Sequence, residues 1–291
     1  MECRIREIRN KEVVNIIKQE IDIEEVKNLI TERKYTRLKE MLADVNPADM
    51  VEIFDAVDKK YTLLLFRVLP KELAAETFAY MDTDTQRALI EAFTDMELRE
   101  IVNELFLDDT VDIIEEMPAY VVDKILRNVD SQTRKTINDL LHYPKDSAGS
   151  IMTIEYVDLK AHMTVAEAFD RIRKTGVDKE TVYTCYVTDR KRTLLGIVTA
   201  RDLMLASPDA TIEDIMETSV ISVTTSVDRE EVVRLFDKYD FLALPVVDSE
   251  SRLVGIITVD DAIDVLLEET EEDISKMAAV TPTDKPYLKE G

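Results

Sequence analysis

The first 148 residues contain no glycine, and all five glycines of the chain lie at or after Gly149. Glycine serves left-handed turns and helix ends. A long segment that avoids it, and is rich in Leu, Ala, Glu and Lys, is predicted to form helices joined by short polar turns. The segment also repeats. Helix openings recur near Pro47 (NPADMVEIF), Pro70 (LPKELAAETF), Thr94 (TDMELREIV) and Pro118 (MPAYVVDKIL), 23 or 24 residues apart. Proline suits the first turn of a helix, where its missing N–H would be unbonded anyway. Second openings at Asp82 (DTDTQRALIEAF) and Asp130 (DSQTRKTINDLL) lie 48 residues apart. The spacing predicts short helical hairpins that bury their apolar faces by stacking. The expected form is an all-α superhelix over about residues 20–130, with a four-helix bundle as the alternative.

The second half has another period. CYVTDRKRTLLGIVTARDLM (185–204) and LPVVDSESRLVGIITVDDAI (244–263) match at an offset of 59 residues. Each is preceded by an Ile-Met, in SIMTIEYVDLKAHMTVAEAF and DIMETSVISVTTSVDREEVV. Short β-branched and aromatic runs, polar turns and helical stretches alternate in the order β-α-β-β-α. One copy of about 60 residues is small for an independent core, so the two copies are expected to pack as an α/β pair.

Composition bounds the function. Of 291 residues 45% are apolar, enough for real cores, and 37 basic residues face 61 acidic ones for a net charge of −24. Such a surface repels nucleic acid and anionic membrane and attracts cations. Cys3 and Cys185 are far apart and form no CxxC or Cys/His cluster, which argues against a disulfide framework or a zinc site. His142 and His162 are the only histidines, read as loop or partner-contact residues. The N-terminus lacks the apolar stretch of a signal peptide, and no run is long enough to span a bilayer. Neither a nucleophile–base constellation nor a Gly-rich phosphate loop is present, so no enzyme is expected.

The acids concentrate. VDDAIDVLLEETEEDI (259–274) holds eight carboxylates and no base, and Asp228 to Asp273 holds 15 acids against four bases. Wound as a helix, Asp261, Asp264, Glu268 and Glu272 fall within about 80° of one another, with Glu269 off the stripe and able to face a different partner. Ile263, Leu266 and Leu267 are expected to supply the apolar side that packs. Asp260 and Asp261 gain from the helix dipole, whereas Glu268 to Asp273 do not. In DREEVVRLFDKYD, Glu230, Asp237 and Asp240 share one side of a second acidic helix. A hard divalent cation would relieve the repulsion. The duller reading is a solvated face, and Thr258 to Asp261, like Thr199 to Asp202, also fits a capping box.

Here the residues carry a resemblance. The doubled GIVTARD (196–202) and GIITVDD (255–261) resemble a tandem CBS pair, or Bateman module. Together with the helical repeats, YPKDSAGSIMTIEYV, YDFLALPVVD and VDDAIDVLLEETEEDI, the chain resembles over about residues 20–275 the cytosolic part of MgtE-type magnesium channels. The resemblance implies a helical N domain (1–135), a first CBS unit (136–206), a second (207–267), and a connecting helix and tail (268–291) leading to a transmembrane pore domain absent here. It implies Mg²⁺-site acids at Asp228, Glu230, Asp237, Asp240, Asp261 and Asp264 in the second CBS unit. Glu269 and Glu272 would add to them from the connecting helix, and Glu76, Asp108 and Asp112 from the helical domain. Asp237 falls where family members need not carry an acid. In CBS pairs the Thr and Asp of the GxxTxxD turn often hold an adenosine nucleotide, which makes Thr199, Asp202, Thr258 and Asp261 candidates for ATP or another adenosine nucleotide. The resemblance further implies a homodimer formed through the CBS modules, a place at the cytoplasmic face of the cell membrane, and a compact, pore-closing state when Mg²⁺ is high. A nucleotide-sensing adaptor and a helical-repeat scaffold that binds another protein are the rival expectations.

Overall fold

The computed structural model describes residues 21–277 in two compact units. The first runs to Leu105 and includes Asp112–Ser131; the second takes Phe106–Val111 and the chain from Gln132 onward.

The helical part is set by a twelve-residue period. Its helices are α1 (Ile23–Thr31), α2 (Tyr35–Leu42), α3 (Pro47–Ala56), α4 (Thr62–Val68), α5 (Lys71–Ala79), α6 (Thr83–Ala92), α7 (Asp95–Glu104), α8 (Leu107–Glu116), α9 (Ala119–Asn128) and α10 (Ser131–Leu140). A 3₁₀ turn, Lys59–Tyr61, precedes α4 and keeps it on the same count. Eight residues spaced twelve apart (Ile30, Leu42, Phe54, Phe66, Phe78, Ile90, Val102 and Ile114) are each at most 7% exposed. A ten-residue helix plus a two-residue turn returns the chain to the same register each time, so one apolar row can serve every helix. Phe54, Phe66, Phe78 and Phe93 form a ring cluster with centroids 5.1–6.4 Å apart, a spacing that favours tilted and edge-to-face contacts. Alternate helices α3, α5, α7 and α9 pack in succession, so stacked hairpins form and not a four-helix bundle.

Side chains end these helices without glycine. Asn46, Asp82 and Thr94 cap α3, α6 and α7, and Thr94 forms a full capping box with Glu97. Pro47 occupies the first helical position, whereas Pro70 and Pro118 stand one residue earlier, at the N-cap. Lys124 donates from Nζ to the carbonyls of Ile90 (2.6 Å) and Phe93 (2.8 Å), serving the C-terminus of α6 that a glycine would otherwise finish. Arg67 ties α4 to α7 by donating to both oxygens of Glu97, at 2.7 and 3.2 Å. That bond holds the Glu97 carboxyl down at about 2.

The second unit contains two copies of one module. The first is β1 (Asp158–Leu159), α11 (Val165–Thr175), β2 (Thr184–Thr188), β3 (Leu194–Thr199) and α12 (Ala200–Leu205). A short helix, α13 (Ile212–Ile215), leads to the second: β4 (Val223–Thr224), α14 (Arg229–Tyr239), β5 (Ala243–Val247), β6 (Leu253–Thr258) and α15 (Val259–Met277). In each sheet the short first strand runs parallel to the middle strand, which pairs antiparallel with the last. Cys185 opposes Val198, and at the same offset Leu244 opposes Ile257.

The Ile-Met segments are exchanged between the copies. Thr153, beside Met152 ahead of the first module, bridges to Ile256 of β6, and Glu217, beside Met216 ahead of the second, bridges to Ile197 of β3. Gly255 and Gly196 make room for this. A methyl on Gly255 would lie 2.7 Å from the Thr153 carbonyl oxygen and 2.6 Å from the Met152 sulfur, and one on Gly196 would lie 2.6 Å from the Glu217 carbonyl oxygen. The glycine of each GI(V/I)T motif is thus required by a close backbone approach.

Candidate functional site

The nineteen-residue helix α15 turns its smaller residues inward. Ala262 and Val265 are 3% and 4% exposed, whereas Ile263, Leu266 and Leu267 are 50%, 49% and 57% exposed. The sequence expectation for these three is corrected: the side that meets β6 and α14 has room for small and β-branched residues, and the long side chains face outward. The middle of the helix is neutralised from α14. Arg229 donates to Glu269 through Nε (3.0 Å) and Nη2 (2.8 Å) and to Glu268 through Nη1 (2.9 Å).

The first turns of α15 have no such base. The side chains of Asp108 and Asp109, in the α8 turn that belongs to the second unit, gather with Glu155, Glu180, Asp260, Asp261 and Asp264. Burial is the main cause that pushes Asp108 and Asp261 up to about 7, Asp109 to about 6 and Glu180 to about 8. The charges that add to it are all carboxylates: Asp109 and Glu155 on Asp108, Asp108 and Asp260 on Asp261, and Asp108 and Asp261 on Glu180. Burial likewise raises Glu155 and Asp264. Two bonds fix the geometry. Glu155 accepts from the Leu107 N–H at the start of α8 (2.9 Å), and Thr258 Oγ1 donates to Asp261 at 2.5 Å. Glu180 Oε2 is buried with no hydrogen-bond partner.

Of the acids expected from the sequence, the structure therefore brings Asp108, Asp261 and Asp264 together. Asp228 caps α14, accepting from the Glu230 N–H at 2.9 Å, and Glu230 pairs with Arg234. Asp237 is exposed on α14, Asp240 ends that helix with φ 54°, and Glu272 is exposed on α15. Glu269 is held by Arg229. Glu76 and Asp112 are exposed in the first unit. His142 and His162 are exposed as well. Sequence reasoning missed Asp109, Glu155 and Glu180. Asp109 adjoins an expected acid, and the other two precede apolar runs (YV and TVYTCYV) with no helical spacing to the rest, so only tertiary structure assembles them.

The donor set is all carboxylate, which suits a hard divalent cation. Among the described residues no three His, Cys, Asp or Glu side chains are disposed to ligate one metal directly. As they stand, these carboxylates form no direct-ligation cage. The nucleotide candidates act as helix caps: Thr199 and Asp202 form a complete capping box at α12, with Thr199 Oγ1 donating to Asp202 at 2.5 Å. Thr258 and Asp261 make the matching contact at α15. Asp202 is exposed near Tyr183, whose carbonyl accepts from the Ala200 N–H, whereas Asp261 lies inside the acidic cluster.

Among the described residues no helix is long and apolar enough to cross a membrane. Comparison with known proteins matches residues 45–146 to the MgtE intracellular N domain, and residues 148–209 and 212–268 to the CBS domain. The magnesium transporter MgtE of Thermus thermophilus is 40% identical over 258 residues, 87% of this chain and 57% of that one. That of Bacillus subtilis is 32% identical over 251 residues, 86% of this chain and 56% of that one. The chain therefore spans about half the length of the curated relatives it matches. A crystal structure described as the cytosolic domain of the Mg²⁺ channel MgtE in complex with ATP is 37% identical. It covers 84% of this chain and all of that one, with a TM-score of 0.79. The helical repeats, the doubled module and these likenesses agree: the chain belongs to the MgtE family of magnesium transporters and carries its cytosolic region, an N domain followed by a CBS pair.

Proposed function

We propose that this region senses Mg²⁺ for a transporter pore and favours pore closure when Mg²⁺ is high. The observation that carries the reading is the gathering of Asp108, Asp109, Glu180 and Asp261 with no base among the charges that act most strongly on them. Half-buried like charges cost free energy in the ion-free protein. Bound Mg²⁺ supplies two positive charges, largely through retained waters. Asp108 and Asp109 sit on the turn where α8 passes between the units, so relief of their repulsion favours the arrangement in which that turn stays beside Asp261. Glu76 and Asp112 on the first unit, and the exposed acids of α14, would add further contacts as the acidic surfaces of the two units draw together. One millimolar site is worth about 4 kcal/mol against the 1 M standard state. Several sites that prefer the compact form would together shift its population steeply. Such a region would work at the cytoplasmic face of the membrane. The exposed Met204 and Leu205 of α12 and Ile263, Leu266 and Leu267 of α15 support assembly of two copies through their CBS pairs.

Small-angle scattering and manganese titration test this. Millimolar Mg²⁺ is expected to lower the radius of gyration, and D108N/D261N is expected to be compact without the ion and to bind Mn²⁺ about tenfold more weakly. An unchanged radius in both buffers for both proteins would sink the reading.

A second reading concerns ATP, which a 37%-identical relative binds. The Thr199–Asp202 turn suits a ribose better than Thr258–Asp261 does, because Asp261 stands among other acids that repel a polyphosphate. Calorimetry with ATP is expected to show D202A binding at least tenfold more weakly, with D261N at wild-type affinity or tighter. Equal affinity of D202A and wild type would remove the nucleotide from this turn.

A further inference from the structure

Arg229 is a cation the protein supplies for itself. It stands at the first position of α14, its side chain only 16% exposed. Its guanidinium reaches Glu269 (2.8 Å), Glu268 (2.9 Å) and Asp146 (3.3 Å), while its backbone N–H donates to the Asp146 carbonyl at 3.0 Å. One planar fork therefore ties together the segment ahead of the first module, the start of α14 and the middle of α15. The bond to Glu269, whose side chain is 23% exposed, is the strong one, being charge-assisted, aimed by a rigid group and partly withdrawn from water, whereas Glu268 and Asp146 are 62% and 66% exposed and their pairs contribute less. The same helix also carries Arg234, paired with Glu230, with side chains 74% and 50% exposed. A pair that exposed contributes little.

We infer that Arg229 is a positioning residue, a resident counter-charge that fixes the middle of α15 with no metal and withdraws Glu268 and Glu269 from the carboxylates open to a divalent cation. Without it, Glu268 and Glu269 would lose the guanidinium that offsets their charge in a helix whose dipole disfavours acids toward its end. With it, α15 is divided by function. Its first turns, with Asp261 and Asp264, answer to the ion, and its middle is held at any ion concentration. The register of the first turns is thereby set from outside the ion cluster. Glu269, an acid that the family resemblance assigns to the ion, is taken by an arginine in this chain. The inference rests on the Mg²⁺ reading only for the identity of the ion.

Hydrogen exchange of the whole chain, followed by mass spectrometry in chelator and in millimolar Mg²⁺, tests it. In wild type, amides 265–270 should gain no more protection from Mg²⁺ than β2 and β6 of the same unit do. In R229Q they should exchange about ten- to a hundredfold faster in chelator, the loss expected for charge-assisted bonds. Mg²⁺ should restore them, because two carboxylates have been released to it. E268Q/E269Q leaves α14 intact; it should lose the same protection and gain none of it back with Mg²⁺. R229K should fall between wild type and R229Q. The inference is overturned if R229Q keeps its protection in chelator, if wild-type amides 265–270 gain more from Mg²⁺ than β2 and β6 do, or if the double glutamine variant recovers beyond that gain. Amides 106–110 report separately on the acidic cluster. If Mg²⁺ leaves them unchanged in wild type, the ion reading has failed, and R229Q in chelator still decides the role of Arg229.

Discussion

In chelator the second unit should lose stability steadily as the pH rises from about 4 to 8, and Mg²⁺ at several times its dissociation constant should return roughly 1 kcal/mol of that loss for each site it fills. The folded carboxyls of Asp108, Asp109, Asp261 and Glu180 titrate at about 7, 6, 7 and 8, against ordinary values of 3.8 for aspartate and 4.5 for glutamate. Between those limits the folded state holds more protons than the unfolded state, so unfolding becomes easier with each rise in pH. Below about 3 both states are protonated and the effect vanishes; above about 8 the penalty is complete. One group raised by three units corresponds to about 4 kcal/mol. Burial is the larger cause and the rest is repulsion that the four share, so the shifts do not add group by group, and the whole cluster should cost on the order of 4 kcal/mol or more. Lys179 and Asp178, which act on Glu155 in opposite directions, and the more exposed Asp260 and Asp264 belong to the charged surroundings as well. Glu180→Gln should flatten the curve and blunt the Mg²⁺ effect, because it removes a carboxylate that has no hydrogen-bonding partner on one oxygen. The helical unit supplies an internal contrast. Glu97, held low by Arg67, stabilises it above about 4.5, and that contribution disappears only as the pH falls toward 2. Exchange rates at β2 and β6 across this pH range, with and without Mg²⁺, are the measurement; a flat profile in chelator would show that the cluster bears no charge penalty.

Gly255→Ala should destabilise the second unit by about 3 kcal/mol, the upper part of the range for overpacking. The added methyl would meet the Thr153 backbone oxygen at 2.7 Å, and backbone cannot step aside as a side-chain tip can. To accommodate it, the Met152–Thr153 segment must leave β6, and the bridge Thr153↔Ile256 is lost with it. Ile256 and Met152 are 0% and 2% exposed, so the move would also open the centre of the pair. Gly196→Ala should act the same way at the other copy, through Glu217. Urea unfolding of each variant gives the number. A change under about 0.5 kcal/mol, the level of an ordinary surface substitution, would mean that the exchanged segments do not hold the two copies together.

Much of this architecture was legible because it is periodic. The absence of glycine before Gly149 and the recurring openings at Pro47, Pro70, Thr94 and Pro118 pointed to stacked hairpins. The structure tightens the count to a twelve-residue register that places Phe54, Phe66 and Phe78 on one buried row. The 59-residue offset foretold two equal modules, and the Ile-Met ahead of each was visible. Their exchange across the pair was not, since a sequence repeat carries no information about which copy a segment packs on. The helical spacing of the α15 acids was readable, but the structure divides them: Asp261 and Asp264 lie with the other acids, whereas Glu268 shares Arg229 with Glu269. That arginine, forty residues before Glu269 in the chain, was not readable as its partner.

The sequence by itself determined what is local or periodic: helices without glycine, a duplicated β-α-β-β-α unit, and an excess of acid that only positive charge relieves. Tertiary structure alone decided which acids share one low-dielectric neighbourhood. It joined Asp108 and Asp109 to Glu155, Glu180 and Asp261 across wide gaps in the chain, left most of the α14 acids in solvent, and gave Glu268 and Glu269 an arginine. The reason is physical: charge is fixed by residue type, whereas its cost depends on burial and on the distance to other charges, and both are set only when the chain has folded.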